Sequence, residues 1–91
     1  MTLQYQLEIE VTADDIESGE RGDCCECPIA IAVQRIVGPM CRVIVGASIS
    51  IQPVSEPAVN YLMPMEAHYF IRSFDNYQDV SPIKFIAERE I

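Results

Sequence analysis

The chain of 91 residues has no tryptophan, a single histidine and four glycines, each separated from the others. Isolated glycines cannot build the glycine-rich loop that cradles a phosphate group. The one histidine, His68, has no serine or cysteine near it in the sequence, so we interpret it as a helix surface or boundary residue rather than a catalytic base. The sequence also lacks a nucleophile elbow and a His-Glu-x-x-His motif. We therefore predict that the protein is not an enzyme.

Basic residues are scarce: the chain has six basic and 14 acidic residues, and its formal net charge is −8. A protein that binds phosphates directly needs a basic stripe, so we predict no direct nucleic-acid binding. No apolar run reaches the ~18 residues of a membrane span, and the first residues lack the basic and apolar regions of a signal peptide. We expect a cytoplasmic protein without a membrane partner, in which the cysteines stay reduced.

Apolar residues recur with two regular spacings along the chain. Strands are predicted where apolar and polar residues alternate, over residues 3–11, over residues 41–52 and after Pro82. A loop with an odd number of residues, 46–48, would make the second stretch a hairpin, and the alternative is a single long bent strand. Recurrence every three to four residues predicts helices over residues 28–37 and 63–75. The first of these also alternates like a strand, but Pro28 and the Gly38-Pro39 pair favour a helix. Thr12 caps a short helical turn, and residues 53–60 are predicted to be loop.

These elements predict a single domain over residues 1–91. Its fold class is α+β, with two layers: a four-stranded, mostly antiparallel sheet and two helices on one face. The order β-α-β-β-α-β is similar to the split βαβ pattern.

Negative charge is concentrated in one part of the chain, which we call the acidic segment (residues 8–26). It holds one basic residue, Arg21, and eight acidic ones, which are Glu8, Glu10, Asp14, Asp15, Glu17, Glu20, Asp23 and Glu26. Such a segment favours a protein partner with a basic surface, and the alternative is a solvated face that serves solubility. A further alternative is a homodimer formed through an exposed edge of the sheet.

Three of the four cysteines precede the first long helix. Cys24 and Cys27 form a Cys-x-x-Cys pair, and a helix N-terminus favours the thiolate form, so a thiol-redox site is one alternative. A zinc site is another, with Cys24, Cys27, Cys41 and His68 as ligands if the fold brings them together. Neighbouring acids oppose a thiolate, and cysteine also packs as a small apolar residue, so our first prediction is no cofactor.

Three motifs carry a family resemblance: Ile-Glu-Val-Thr-x-x-Asp-Ile-x-x-Gly from Ile9, Arg-Gly-Asp-Cys-x-x-Cys-Pro-Ile-Ala-x-Ala from Arg21, and Phe-Ile-x-x-Phe-Asp from Phe70. Over roughly residues 9–33 and 70–75 the chain resembles short proteins, without an assigned activity, that bacteriophages and other bacterial mobile elements encode. Cys25 is additional to that pattern. The resemblance implies a bacterial or phage-infected host cell, and a small binding protein that inhibits or adapts host machinery.

Overall fold

The computed structural model describes residues 4–90 and contains eight helices and strands within that range. In chain order they are β1 Gln6–Val11, α1 Ala13–Ser18, α2 Pro28–Val37, β2 Cys41–Val45, β3 Ile49–Pro53, β4 Val59–Leu62, α3 Met65–Asp75 and β5 Ile83–Arg89. Leu3, which we predicted as the start of the first strand, lies outside the described residues. Tyr5 precedes β1 and is exposed rather than buried.

The strands form one sheet in the order β1-β5-β4-β3-β2, and each neighbouring pair is antiparallel. The sheet curls into a half-barrel. Val45 lies opposite Ile49, so β2 and β3 form a hairpin whose loop is residues 46–48, as the sequence predicted. The first and last strands of the chain also pair, with Ile9 opposite Phe85.

The prediction of a four-stranded sheet with two helices is wrong in two places, although the α+β class stands. Residues 59–62 form the additional strand β4, and Ala13–Ser18 form α1, a third helix. The predicted loop over residues 53–60, which rested on Pro53 and Pro57, includes the first two of the four residues of β4. Pro53 instead ends β3, and two buried side chains, Tyr61 and Met63, mark the inward face of the following segment. In a split βαβ unit one strand separates the two parallel strands, whereas three strands separate β1 from β2 here, so the split βαβ comparison is also wrong.

The core lies between the concave face of the sheet and the helices. Residues 28–37 are helical, as predicted, with Pro28 at the first turn and Gly38 at the end with a φ of 81°. Ile29 and Val33 of α2 and Phe70 of α3 join the inward-facing strand residues in one buried cluster. The opposite face of the sheet, which we call the outer face, carries exposed side chains and no helix within residues 4–90.

No helix in the described part of the chain combines the length and the apolar character needed to cross a membrane.

Candidate functional site

The segment between α1 and α2, which we call the cysteine loop (residues 19–27), is folded by its own backbone and one carboxylate. The N–H of Glu20 donates to the carbonyl of Glu26 over 2.8 Å and closes the loop. Oδ1 of Asp23 accepts the N–H groups of Cys25 at 2.8 Å and of Glu26 at 3.0 Å. Aspartate favours such local bonds in turns. Asp23 therefore fixes the backbone on which two cysteines are carried.

The cysteine loop is also held against distant parts of the fold. The N–H of Val45, at the end of β2, donates to the carbonyl of Cys24 over 2.7 Å. At the end of α3, Oδ1 of Asp75 accepts the N–H of Gly22 at 2.9 Å. Beside it, Nε of Arg21 donates to the Phe74 carbonyl over 3.0 Å. These contacts leave a recess of about 250 Å³ between the loop, β2 and α3.

The guanidinium of Arg21 lies over two aromatic rings, one in α3 and one just after it. Its guanidinium carbon is 4.7 Å from the ring centroid of Phe74 and 4.3 Å from that of Tyr77. A guanidinium at this distance is attracted to the negative face of a ring. The one basic residue of the acidic segment is therefore used to anchor the cysteine loop to α3.

Cys24 and Cys25 are in direct contact. Their Sγ atoms are 3.2 Å apart, and a carboxylate oxygen of Asp23 lies within 4.8 Å of both. Cys24 is exposed and Cys25 is partly buried. The hydrogen bond with the Cys24 thiol raises the pKa of Cys25 above its usual value, with desolvation and the negative charge of Asp23 acting in the same direction. A raised pKa disfavours the thiolate form, so Cys25 is a poor nucleophile in the absence of a cation.

Cys27 has a different role from its neighbours. It is buried at the N-cap of α2, and its Sγ accepts the N–H of Ala30 at 3.4 Å. Burial raises the pKa of this thiol, so the helix N-terminus does not convert it into a reactive thiolate. Cys24 and Cys27 both line the recess beside the loop.

The four ligands of the alternative zinc site are not brought together. Cys41 is buried at the start of β2, and His68 is half-buried on α3. Among residues 4–90, no three of Cys24, Cys27, Cys41 and His68 have their ligand atoms within 4.8 Å of one another. The neighbours of Cys24 are instead Asp23 and Cys25, which were not predicted as ligands. The Asp-Cys-Cys run at residues 23–25 is the sequence signal for this cluster, although Cys25 is additional to the motif of the resemblance.

Asp15 departs most from its predicted role in an acidic patch, because it is buried. Nη1 of Arg35 donates to its Oδ1 over 2.8 Å and Nη2 to its Oδ2 over 2.9 Å. Asp15 and Thr12 also form a capping box at the start of α1. The Thr12 N–H donates to Oδ2 of Asp15, and the Asp15 N–H donates to Oγ1 of Thr12. Arg35 extends the link by donating to the Glu10 carbonyl. Asp15 therefore ties α1 to α2 and β1, and is not available to a partner.

The other seven acids of the segment remain at the surface, on three parts of the fold. Glu8 and Glu10 project from β1 onto the outer face. Asp14 and Glu17 are on α1, and the remaining three belong to the cysteine loop, namely Glu20, Asp23 and Glu26. One of the seven, Glu10, has an ion pair, with Lys84 at 3.3 Å between exposed groups. Within residues 4–90 no basic side chain forms an ion pair with the other six.

The Asp15 contacts predict a pH-dependent contribution to stability. The hydrogen bond from Arg35, more than any other contact, lowers the pKa of Asp15 below its usual value of about 3.9. Because the pKa is lower in the folded state, this stability is present above about pH 4 and is lost as the pH falls through the folded pKa. We expect Asp15→Asn to lower the free energy of unfolding by about 1–2 kcal/mol at pH 7, since Arg35 is half-exposed and partly screened.

Urea unfolding at pH 7 and at pH 2.5–3 measures this effect. The difference between the wild type and Asp15→Asn should shrink towards zero at the lower pH. Asp14→Asn, one position earlier on α1 and exposed, controls for the loss of a negative charge. A difference between wild type and Asp15→Asn that does not change with pH would contradict the assignment of the stability to the charged carboxylate.

Comparison of the chain with protein-family models, with curated proteins and with solved structures finds no match in any of the three.

Proposed function

We propose that the protein is a small, non-enzymatic interaction protein that binds a basic surface of a protein partner through acidic side chains of residues 8–26. The proposal rests on one observation: the two basic residues nearest to these acids are both engaged in contacts within the fold. Arg35 is bound to Asp15, and Arg21 is stacked on Phe74 and Tyr77. Six exposed or partly exposed acids therefore keep charges that no basic side chain among residues 4–90 neutralises. A basic partner would supply the missing charge.

The outer face adds apolar area beside Glu8 and beside Glu88, an acid of β5 outside the acidic segment. Ile86 of β5 is 52% exposed and lies opposite Glu8 of β1. Leu62 of β4 is also 52% exposed and lies opposite Glu88 of β5. Stable interfaces combine an apolar centre with a polar rim. Lysine and arginine side chains suit such a surface, because their aliphatic stems cover apolar groups while their charged ends reach the carboxylates.

The resemblance of the chain to proteins of bacteriophages and mobile elements supports a role as an inhibitor or adaptor of host machinery. The charge balance supports a protein target rather than nucleic acid, since phosphates would be repelled by a chain with a formal net charge of −8. In this proposal the protein needs no catalytic group, and its specificity depends on the placement of carboxylates around exposed apolar side chains.

Charge reversal on the outer face is the direct test. The double variant Glu8→Lys with Glu88→Lys changes exposed side chains that alternate with the buried residues of β1 and β5. We expect it to lower recovery of the basic partner from a bacterial lysate at least about tenfold, because like charges that meet across an interface cost several kcal/mol. Immobilised wild type and variant would be compared, with bound proteins identified and quantified by mass spectrometry.

Two further variants assign the effect to a surface. Asp14→Lys with Glu17→Lys tests α1, and leaves Asp15 intact because of its structural contacts. Glu66→Lys with Asp79→Lys is the matched control, since both residues are exposed and lie outside the acidic segment. Equal recovery of the same basic proteins by the wild type, by the outer-face variant and by the α1 variant would overturn the proposal. Equal loss with the control pair would show a response to net charge alone.

A further inference from the structure

A second site is formed by three donor groups of the cysteine loop, of which Asp23 alone belongs to the acids of the proposed partner surface. The two Sγ atoms of Cys24 and Cys25 and a carboxylate oxygen of Asp23 lie within 4.8 Å of one another. Two sulfurs and one carboxylate oxygen are ligands that zinc and related soft cations take in proteins. We propose that Asp23, Cys24 and Cys25 together bind one thiophilic divalent cation, such as Zn²⁺ or Cd²⁺.

The backbone around these donors is already fixed, which lowers the entropy that binding must overcome. Oδ1 of Asp23 holds the N–H groups of Cys25 and Glu26, and the carbonyl of Cys24 is bonded to Val45. The Glu20–Glu26 backbone bond closes the loop behind them. A cation therefore has to order little beyond the side chains of the two cysteines.

The charge around the cluster also favours a cation. Asp75 lines the same recess as Asp23 and Cys24, and Arg21, the nearest basic residue in sequence, points its guanidinium at aromatic rings instead. Arg42 is close enough to favour the Cys25 thiolate electrostatically but forms no ion pair with Asp23 among the described residues. A divalent ion would balance two thiolates and a carboxylate more closely than these side chains do.

Coordination requires a small movement of one thiol. Zinc–sulfur bonds of about 2.3 Å at a tetrahedral angle place two sulfurs roughly 3.8 Å apart, whereas the Sγ atoms of Cys24 and Cys25 are 3.2 Å apart. A side-chain rotation of Cys24, which is exposed, supplies this change. On binding, each S–H bond is replaced by a sulfur–metal bond, both protons pass to the buffer, and water completes the coordination of the ion.

This ligand set differs from the zinc alternative considered from the sequence, in which Cys24 was joined by Cys27, Cys41 and His68. It is also independent of the partner proposal, since partner capture can be measured in the presence of a chelator. A failure to bind the cation would not affect the test of partner binding, and a failure to bind the partner would not affect the test of cation binding.

Titration of the reduced, metal-free protein with Cd²⁺ tests the site. Ultraviolet absorption from sulfur-to-cadmium charge transfer reports thiolate ligation, and calorimetry gives the stoichiometry and affinity. We expect one Cd²⁺ per chain. Cys24→Ser and Cys25→Ser should each weaken binding at least tenfold and reduce the absorption change. Asp23→Asn, which keeps an oxygen to accept the Cys25 and Glu26 N–H groups, should weaken affinity without reducing the sulfur signal per bound ion.

Cys27→Ser is the matched control. Serine is a favoured N-cap residue, so this variant should fold, and its far-ultraviolet circular dichroism should match that of the wild type. We expect its Cd²⁺ affinity to be unchanged. The proposal is overturned if the wild type binds no Cd²⁺, if the Cys24 and Cys25 variants bind it as tightly as the wild type, or if Cys27→Ser weakens binding as much as Cys25→Ser.

Discussion

Replacement of Ile51 by alanine is expected to lower the free energy of unfolding by about 2–5 kcal/mol. Ile51 is completely buried on β3, where it lies opposite Val43 of β2 and Val59 of β4. Truncation removes buried methyl groups and leaves a cavity between strands that are held on both sides. Domains have a total stability of roughly 5–15 kcal/mol, so this one change would remove a large share. Urea unfolding measures the shift, and an unchanged m-value would confirm that the folded state is retained.

Ile86→Ala provides the comparison for this prediction. Ile86 is on β5, also an inner strand of the sheet, but its side chain projects from the outer face and is 52% exposed. We expect this substitution to cost about 1 kcal/mol or less, because less apolar area returns to water and no closed cavity forms. If the two substitutions cost the same, the assignment of the core to the concave face of the sheet would be wrong.

Most of the local structure could be predicted, because it depends on nearby residues. The β2–β3 hairpin follows from the apolar residues on either side of residues 46–48, which continue the same two-residue alternation. Helix α2 follows from Pro28 and Gly38 at its ends. β4 was missed because a four-residue strand offers only two inward positions, at Val59 and Tyr61. Two alternating apolar positions are weaker evidence for a strand than two nearby prolines are for a loop, as long as the neighbouring strands are unknown. In the fold, β4 pairs with β3 on one side and with β5 on the other, and these contacts determine that the segment is a strand.

The candidate sites depended more on contacts between distant residues. The sequence showed the concentration of acids, but it could not show that Arg35, 20 positions after Asp15, would bury that carboxylate. It also favoured Cys24 with Cys27 because of their spacing. In the fold, Cys27 turns inward to cap α2, while Cys25 stays beside Cys24. Whether a thiol enters a core or a surface loop is decided by the packing around the helix start, which spacing alone does not describe.

The three sequence motifs that carried the family resemblance also meet in space. Arg21 and Gly22 of the second motif bond to Phe74 and Asp75 of the third, in each case across 53 positions of sequence. Gly19, the last residue of the first motif, lies against Pro28 of the second. The motif residues thus have a structural explanation, since they hold the cysteine loop between the ends of α1, α2 and α3. This role is compatible with either proposed site and requires neither.

Gly19→Ala is expected to destabilise the protein by about 1–3 kcal/mol, because it inserts a methyl group where none fits. The backbone at Gly19 is ordinary extended chain, with φ −72° and ψ 152°, so the restriction is not conformational. A Cβ would lie 2.5 Å from Cδ, 2.6 Å from Cγ and 2.8 Å from the backbone N of Pro28. The proline ring cannot rotate away, so the end of α1 and the start of α2 must separate. Urea unfolding measures the loss.

Gly46→Ala is the matched control for the contact at Gly19. It makes the same change in the hairpin loop, where a Cβ would meet no atom within 4 Å. Either substitution restricts the unfolded chain and by that effect alone adds about 0.4–1 kcal/mol to stability, so the difference between the variants isolates the contact with Pro28. We expect Gly46→Ala to be neutral or slightly stabilising. Equal stabilities of the two variants would show that Gly19 does not need to approach Pro28, and that the cysteine loop is positioned by its hydrogen bonds to Val45 and Asp75 instead.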